Sequence, residues 1–436
     1  MDQKFSAIIL AAGHGTRMKS SLPKILHKVL GVTVIDRVIS SVRAAGADDL
    51  IMVLGHDAET VSGQLADTDI RVATQTEQLG TAHALLAAIE QQPPRHDDVL
   101  VVNGDLPDLD PDQLGSLMQS HRASDAAFTV GSCSVDEPTG MGRIVRSGQG
   151  TFERIVEQPD ADSSIEAIHE VNLGIYTVGV AQVRPELQKM VDGDLAGADS
   201  AKESYLTDLV EVLIEAGIPV AACPSEGQQQ FLQVNDRLGL ARVSRVLQDR
   251  IHTRLLAEGV TIVDPVTTWI ESDVEIGTDT VIHPQTVIRR GVKIGSHCQI
   301  GPFAHLREGT VIKDDVKVGD FVEIKDSTLE QGVRAKHLAY LGNTSVGEKA
   351  NIGAGVVVAN YDGKVKSPTR IGSGAFIGSG SVIVAPANIG DNATVGAGAV
   401  VPAGRDVEPG STVIGVPARK IKRHDDSIPE ICEEER

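Results

Sequence analysis

IGTDTVIHPQTVIRRGVKIGSHCQI, residues 276–300, returns an isoleucine at every sixth position. The series Ile276, Ile282, Ile288, Ile294 and Ile300 continues through Leu306, Ile312, Val318 and Ile324. It resumes at Val346, Ile352 and Val358, and runs on from Ile371 through Ile377, Ile383, Ile389 and Val395 to Val401. Such a period belongs to neither an α-helix nor an alternating strand. Glycine follows several of these aliphatics at once, as in Ile294-Gly295, Ile352-Gly353 and Ile377-Gly378, so the chain can bend directly after the inward side chain. The rhythm predicts a parallel β-helix, in which short strands wind into triangular coils and one aliphatic per strand points into the prism. Each buried aliphatic is worth roughly 1.5 to 3 kcal/mol, and stacked coils stabilise one another where a single coil could not fold. The repeat decides the architecture of the C-terminal half and leaves its chemistry open.

The first half of the 436-residue chain lacks this period, so two domains is the simplest count. Acidic side chains number 60 against 40 basic ones, and the net charge of -20 argues against nucleic acid or an anionic membrane as the main partner. An anionic substrate must then meet a local cationic pocket. The opening MDQKFSAIILAAG has an apolar run too short for a signal peptide or a membrane span, which predicts a cytoplasmic protein. Cys133, Cys223, Cys298 and Cys432 are scattered with no CxxC pair, the pattern of isolated thiols in a reducing compartment.

Ahead of the repeat, apolar strand-like runs at 7–10, 50–54 and 99–102 alternate with helical spacing such as 36–45, which Gly46 stops. This order predicts an α/β domain with a mostly parallel, Rossmann-like sheet and ligands beyond the carboxyl ends of its strands. A glycine loop at 13–15 and Asn103-Gly104-Asp105 both fall at such ends. Residues 235–258 look helical with Gly259 as the stop, a linker between domains. The expected division is 1–226, a linker over 227–259, and the β-helix with a charged, disordered tail from Lys422 over 260–436.

Two groups of residues carry chemistry. In Leu10-Ala11-Ala12-Gly13-His14-Gly15-Thr16-Arg17-Met18, followed by Leu22-Pro23-Lys24, the glycines let main-chain N–H groups approach a phosphate. Arg17 and Lys24 supply the charge to answer a triphosphate. A dinucleotide fingerprint is excluded, because Arg17 and Met18 stand where a third glycine is needed. Asp105 reads either as a turn residue or as a metal ligand, and Asn235 as a helix N-cap or a ligand. His14 and His83 have no evident partner in the sequence. The other group lies where the six-residue period breaks: RAKHLAYLG, residues 334–342, and NYDGKVK, residues 360–366. Polar and aromatic residues there predict loops that leave the prism, the usual place for function on a rigid scaffold.

The N-terminal motif resembles the signature of sugar-1-phosphate nucleotidylyltransferases. Further blocks match in order: QTEQLGTAH at 75–83, Asn103-Gly104-Asp105, TGMGR at 139–143, Ile155-Val156-Glu157, Asn172-Leu173-Gly174 and Val234-Asn235. The C-terminal segments resemble the acetyltransferase half of the bacterial bifunctional N-acetylglucosamine-1-phosphate uridylyltransferase/glucosamine-1-phosphate N-acetyltransferase family, and together the match spans essentially the whole chain. The resemblance implies a left-handed β-helix, a homotrimer, and UTP, acetyl-CoA and Mg²⁺ as co-substrates and cofactor. It implies that Leu10, Ala11, Ala12, Gly13, Lys24, Gln75, Gly80, Thr81, Asn103 and Gly104 bind UTP, with Arg17 and Lys24 acting in the transfer. Gly140, Glu157 and Asn172 would bind the amino-sugar phosphate, and Asp105 and Asn235 would hold Mg²⁺. In the second half, Arg307, Lys325, Tyr340, Asn351 and Lys366 would grip glucosamine-1-phosphate, with His337 as general base. Ala354, Asn360, Tyr361, Ser379 and Ala397 would line the acetyl-CoA groove, with Lys366, Ser379 or Ala397 supplied by a neighbouring chain. Asn103 departs from the family, which often has an aromatic there.

Two alternatives compete. A nucleotidylyltransferase with a merely structural or regulatory β-helix should lack the His337/Tyr340 and Asn360-Tyr361 segments, and a non-enzymatic scaffold leaves the N-terminal series unexplained.

Overall fold

The computed structural model describes residues 4–13, 15–55, 58–65, 69–193, 203–225 and 231–421. Contacts divide the chain into two units, 1–245 and 246–436. The division falls inside a helix, Arg237–Ala257, within the span expected as linker. The expected boundary at 226–227, the tail from Lys422 and His14 lie outside the described residues.

In the N-terminal unit the strands are β1 (Phe5–Leu10), β2 (Ala47–Leu54), β3 (Arg71–Thr74), β4 (Asp98–Asn103), β5 (Phe128–Ser134), β6 (Glu170–Gly179) and β7 (Val220–Pro224), in sheet order β7-β5-β6-β4-β1-β2-β3. Pairing is parallel except along β6, which runs antiparallel to both β4 and β5. β1 is central and buried throughout, and its side chains alternate between two cores: Ile8 and Leu10 pack on one side, Phe5, Ala7 and Ile9 on the other. A strand covered on both faces needs a continuous apolar run, and FSAIIL comes close to one. Its one polar core residue, Ser6, donates to Asp49 Oδ2 at 2.6 Å.

Asp49 sits on β2 at the end of the sheet remote from the strand carboxyl ends. Its side chain accepts from Ser6, from the Arg95 amide at 2.9 Å and from both terminal contacts of Arg71 at 2.7 Å. Burial alone would raise its carboxyl, but the Ser6, Arg95 and Arg71 contacts hold it below the usual carboxylate range. A depressed folded-state value means the stabilisation is present above the unfolded-chain value of about 3.9 and is lost as pH falls through the folded one. Asp49→Ala should therefore destabilise this unit at pH 7 by roughly 3 kcal/mol, since it strands a partly buried guanidinium. The difference from the parent should shrink on acidification below about pH 4. Urea unfolding at pH 7 and pH 3 checks both, and a pH-independent difference contradicts the assignment.

In the C-terminal unit, two- to four-residue strands stack into three sheets, the faces of a triangular left-handed prism, all parallel except Arg419–Ile421, which pairs antiparallel with Thr412–Ile414 at the end of the first sheet. The first face runs from Thr261–Ile262, the second from Trp269–Ile270, the third from Glu275–Ile276. Val281 pairs with Gln299 and Gln299 with Lys317, a coil of eighteen residues. Every aliphatic of the six-residue series is buried in one continuous core.

The first break in the period is not a loop. Arg334–His337 and Tyr340–Gly342 are strands of the first and second faces. The core series continues through Leu329, Ala335, Leu341 and Val346, all buried, with two steps shortened to five residues. Lys317 consequently pairs with Arg334 and Glu323 with Tyr340, seventeen residues on. The shortening occurs at two tight corners where Asp326 (φ 46°) and Asn343 (φ 51°) turn left-handed, and the Ser327 hydroxyl links them, donating to Lys325 O and accepting from Thr344 N. The second break is a true loop. Thr344 pairs with Thr369, twenty-five residues on, and residues 361–366 stand exposed.

Candidate active sites

The nucleotide-type site lies at the carboxyl ends of β1 and β4. A 490 Å³ cleft is lined by Leu10, Ala11, Ala12, Gly13, Arg17, Lys24, Gln75, Gly80, Thr81, Asn103, Asp105 and Asn235, among others. Gly15, at φ 58°, lets the loop fold over Lys24; a Cβ there would lie 2.6 Å from Lys24 Cβ. Gly80, at φ 99°, lets the segment at Ser204 pass, since a Cβ would lie 2.2 Å from its carbonyl oxygen. Thr81 Oγ1 then accepts from Leu206 N at 2.9 Å. Gln75, nearly buried, donates to Gly80 O at 3.0 Å and contacts His83 Nδ1 at 3.0 Å, so His83 does have a partner. Gly104 N donates to Leu10 O, tying the two strand ends together.

At the centre, Lys24 Nζ donates to Asp105 Oδ2 at 2.6 Å and to Asn235 Oδ1 at 3.2 Å. Asp105 Oδ1 is buried with no hydrogen-bond partner. Asn235 is not the cap of the helix it precedes. That role falls to Asp236, whose Oδ1 accepts from Gly239 N at 2.7 Å, and Asn235 is left facing Lys24. Among the described residues no three His, Cys, Asp or Glu side chains cluster as a self-sufficient metal cage. A carboxylate and an amide oxygen drawn to one cation still suit Mg²⁺, which is commonly held by one or two carboxylates plus substrate phosphates.

Gly140, Glu157 and Asn172 do not line this cleft but gather beside it. Asn172 N donates to Gly142 O, and a Cβ on Gly142 would touch Glu157 Oε1 at 3.1 Å. The Asn172 side chain donates to Tyr176 Oη at 2.9 Å and accepts from Gly174 N. Gly140, at φ 82°, donates its N–H to Gln158 Oε1. Burial, then the nearby Asp208, raises the Glu157 carboxyl, and the Thr207 hydroxyl offsets part of this. Tyr205 and Glu203 also line the cleft and hydrogen bond to each other. They had no signal in the sequence, because their place depends on the packing of the segment after 203 against Gly80.

In the prism, site residues collect at two corners. Where the second face turns into the third stand Arg307, Lys325 and Lys366. Arg307 is one coil below Lys325 and donates to Glu323 at 2.7 Å. The Lys325 ammonium beside Lys366 holds the latter below its usual value, as two neighbouring cations must. Lys366 thus stands near Lys325 of its own chain. Asn360 is 6% exposed and donates to Asn343 Oδ1 at 2.6 Å. The exposed Tyr361 donates to Gly363 O at 2.7 Å inside its own loop. Within one chain both belong to this corner, whereas Ala354, Ser379 and Ala397 lie at another. Tyr340 lies on the second face, paired with Glu323.

His337 stands at the other corner, between the first and second faces. Extending the registers past each strand end gives a column Pro302, Asp320, His337, Ala354, Ser379, Ala397. Its carbonyls accept from the next coil: Leu338 N to Asp320 O, Gly355 N to His337 O, Gly380 N to Ala354 O and Gly398 N to Ser379 O. Ser379 and Ala397 therefore share a corner with His337 in the same chain, at about 4.8 Å per coil. Below Ala354 the corner is bulky, with Phe303 and Phe321 stacked at 4.9 Å, and above it the residues are small: Ser379, Gly380, Ala397 and Gly398. A 500 Å³ groove runs beside His337 along Lys317, Lys336, Asp320, Phe303 and Phe321. Asn351 does not join the Arg307 cluster. It lies on the first face, in register with Arg334 and Phe376.

Residues 7–262 match the family described as MobA-like NTP transferase domain, and 291–326 and 368–403 match the bacterial transferase hexapeptide family. The protein named Bifunctional protein GlmU of Trichlorobacter lovleyi is 39% identical over 415 residues, 87% of this chain and 89% of that one. Its namesake from Pelotomaculum thermopropionicum is 39% identical over 413 residues, again 87% and 89%. That of Clostridioides difficile is 36% identical over 414 residues, with the same coverage.

Proposed function

The chain belongs to the GlmU family of bifunctional proteins, and we propose that its prism acetylates glucosamine-1-phosphate from acetyl-CoA while its N-terminal unit transfers the uridylyl group of UTP to N-acetylglucosamine-1-phosphate, releasing pyrophosphate. The observation that carries the reading is the presence of two separate anion-ready sites: a cleft where Lys24 bridges Asp105 and Asn235, and a prism corner where Arg307, Lys325 and Lys366 converge.

In uridylyl transfer an anionic sugar phosphate attacks an anionic α-phosphate, so charge screening is the main task. Asp105 and Asn235 would hold Mg²⁺, and the unpartnered Asp105 Oδ1 supports this. The metal, when bound, would supply the positive charge that offsets that repulsion. Lys24 and Arg17 would then face the triphosphate, Gln75 and Gly80 the base, and Glu157 and Asn172 the sugar.

In acetyl transfer the cation corner would take the phosphate, and His337 would accept the proton of the attacking amine. Asn351 lies on another face from these cations, and its ladder neighbour Phe376 is 51% exposed. That separation supports a trimer in which a second prism covers the first face and brings Asn351 to the site. Phe376→Glu should then split the trimer and abolish acetyl transfer while uridylyl transfer persists. Sedimentation with both assays on each fraction tests this, and a fully acetylating monomer refutes the shared site.

Among the described residues no helix is long and apolar enough to cross a membrane, and with the acidic balance we assign the enzyme to the cytoplasm, acting on small molecules. Incubation with glucosamine-1-phosphate, acetyl-CoA, UTP and Mg²⁺, following thiol and pyrophosphate separately, tests the whole reading. Pyrophosphate release that needs N-acetylglucosamine-1-phosphate to be supplied, with no thiol released, would leave only uridylyl transfer.

A further inference from the structure

We propose that Asp320 is a positioning residue for His337, holding its imidazole in one tautomer and stabilising the imidazolium formed during acetyl transfer. The inference rests on the reading of His337 as the general base. His337 Nδ1 lies 2.7 Å from Asp320 Oδ1. The two residues are opposed in register on neighbouring first-face strands, Lys317–Asp320 and Arg334–His337. Each is the last residue before a left-handed corner, Phe321 at φ 54° and Leu338 at φ 49°, so both side chains leave the prism at the same corner, one coil apart. A carboxylate only accepts, so the ring must carry its proton on Nδ1, and the lone pair is left on Nε2. In the corner column the neighbours Pro302 and Ala354 have no polar side-chain atom, so neither competes with Asp320 for the ring.

This arrangement gives a complete proton path. The substrate amine attacks the thioester carbon and the C–N bond forms, while Nε2 accepts the amine proton. As the tetrahedral intermediate collapses, the C–S bond breaks with its electron pair on sulfur, and Nε2 returns the proton to yield the free thiol of CoA. The ring is cationic only between these steps, and the Asp320 charge favours it there. Other charged or titratable groups face the same region: His283, Lys317 and Lys336 line the groove on the first face, and Glu323 and Tyr340 lie on the second. The Asp320 and His337 side chains are 39% and 59% exposed, so solvent moderates the charge effect.

The test uses the full-length protein. Asp320→Asn keeps the size and can still accept from Nδ1–H, but removes the charge. It should lower kcat for acetyl transfer by roughly 10-fold, a part of the 10²- to 10⁴-fold that a general base contributes. It should also move the acid limb of the pH–rate profile to lower pH, with KM for glucosamine-1-phosphate and uridylyl transfer unchanged. Asp320→Ala should cost about 10²-fold, and ¹⁵N NMR should show His337 shifting from the Nδ1–H form in the parent towards a mixture of tautomers. Parental kcat with an unmoved profile in Asp320→Asn overturns the proposal. So does lost activity in Asp320→Ala with the His337 tautomer unchanged, because that would be a structural effect. Near-normal acetylation by His337→Ala is a different outcome: it removes the base itself, and the proposal falls with it.

Discussion

Asp105→Ala is expected to lower pyrophosphate release by roughly 10³-fold, while thiol release from acetyl-CoA and glucosamine-1-phosphate stays near the parental rate. The estimate follows from the loss of one preorganised electrostatic group at the reacting charge, worth about 10²- to 10³-fold, compounded here by the loss of a carboxylate able to hold a cation. Asp105 sits just past β4 with one oxygen on Lys24 and the other buried and unpartnered. The variant removes both functions and leaves Lys24 only Asn235 as a partner among those contacts. Asparagine at 105 would keep the shape without the charge and should fall between. The acetyl site lies in a unit with its own core, so it should not respond. Parallel loss of both activities in a well-folded Asp105→Ala protein would overturn the assignment of one activity to each unit.

His337→Ala gives the reciprocal result. Acetyl transfer should drop by about 10²-fold or more if the imidazole is the base, and uridylyl transfer should be unaffected. The ring is largely exposed and bonded only through Asp320 among the contacts described, so its removal leaves no buried cavity and costs little stability. A drop in activity without a drop in unfolding midpoint separates chemistry from folding. Near-parental acetylation across neutral pH would exclude His337.

Where sequence reading misjudged the prism, the cause was the same each time: a period tells where side chains point but not how many residues a corner needs. Residues 334–342 break the six-residue rule, and were therefore expected to leave the prism. Two corners shortened by one residue, with Ser327 and Thr344 closing them, absorb the break and keep Ala335 and Leu341 in the core. Asn235 was ambiguous between cap and ligand because adjacent Asn and Asp can each cap a helix. The observed start is capped by Asp236, which removes the cap reading for Asn235. Asp320 went unnoticed because its significance depends on a partner seventeen residues later, a spacing set by the shortened coil.

The sequence by itself determined the two architectures and the family. Hydrophobic periods of six, and alternating apolar runs with a glycine loop and an Asp at strand ends, are local patterns that survive without knowledge of contacts. Only the tertiary structure decided which site residues meet. It put Lys366 beside Lys325 by inserting a loop at that corner, and aligned His337 with Asp320, Ala354, Ser379 and Ala397 in one column. It also separated Asn351 from the cations by placing it on another face. The physical reason is that residues meeting across a coil or a sheet are joined by register. Register is set by the summed packing of the whole stack, which no short stretch of sequence contains.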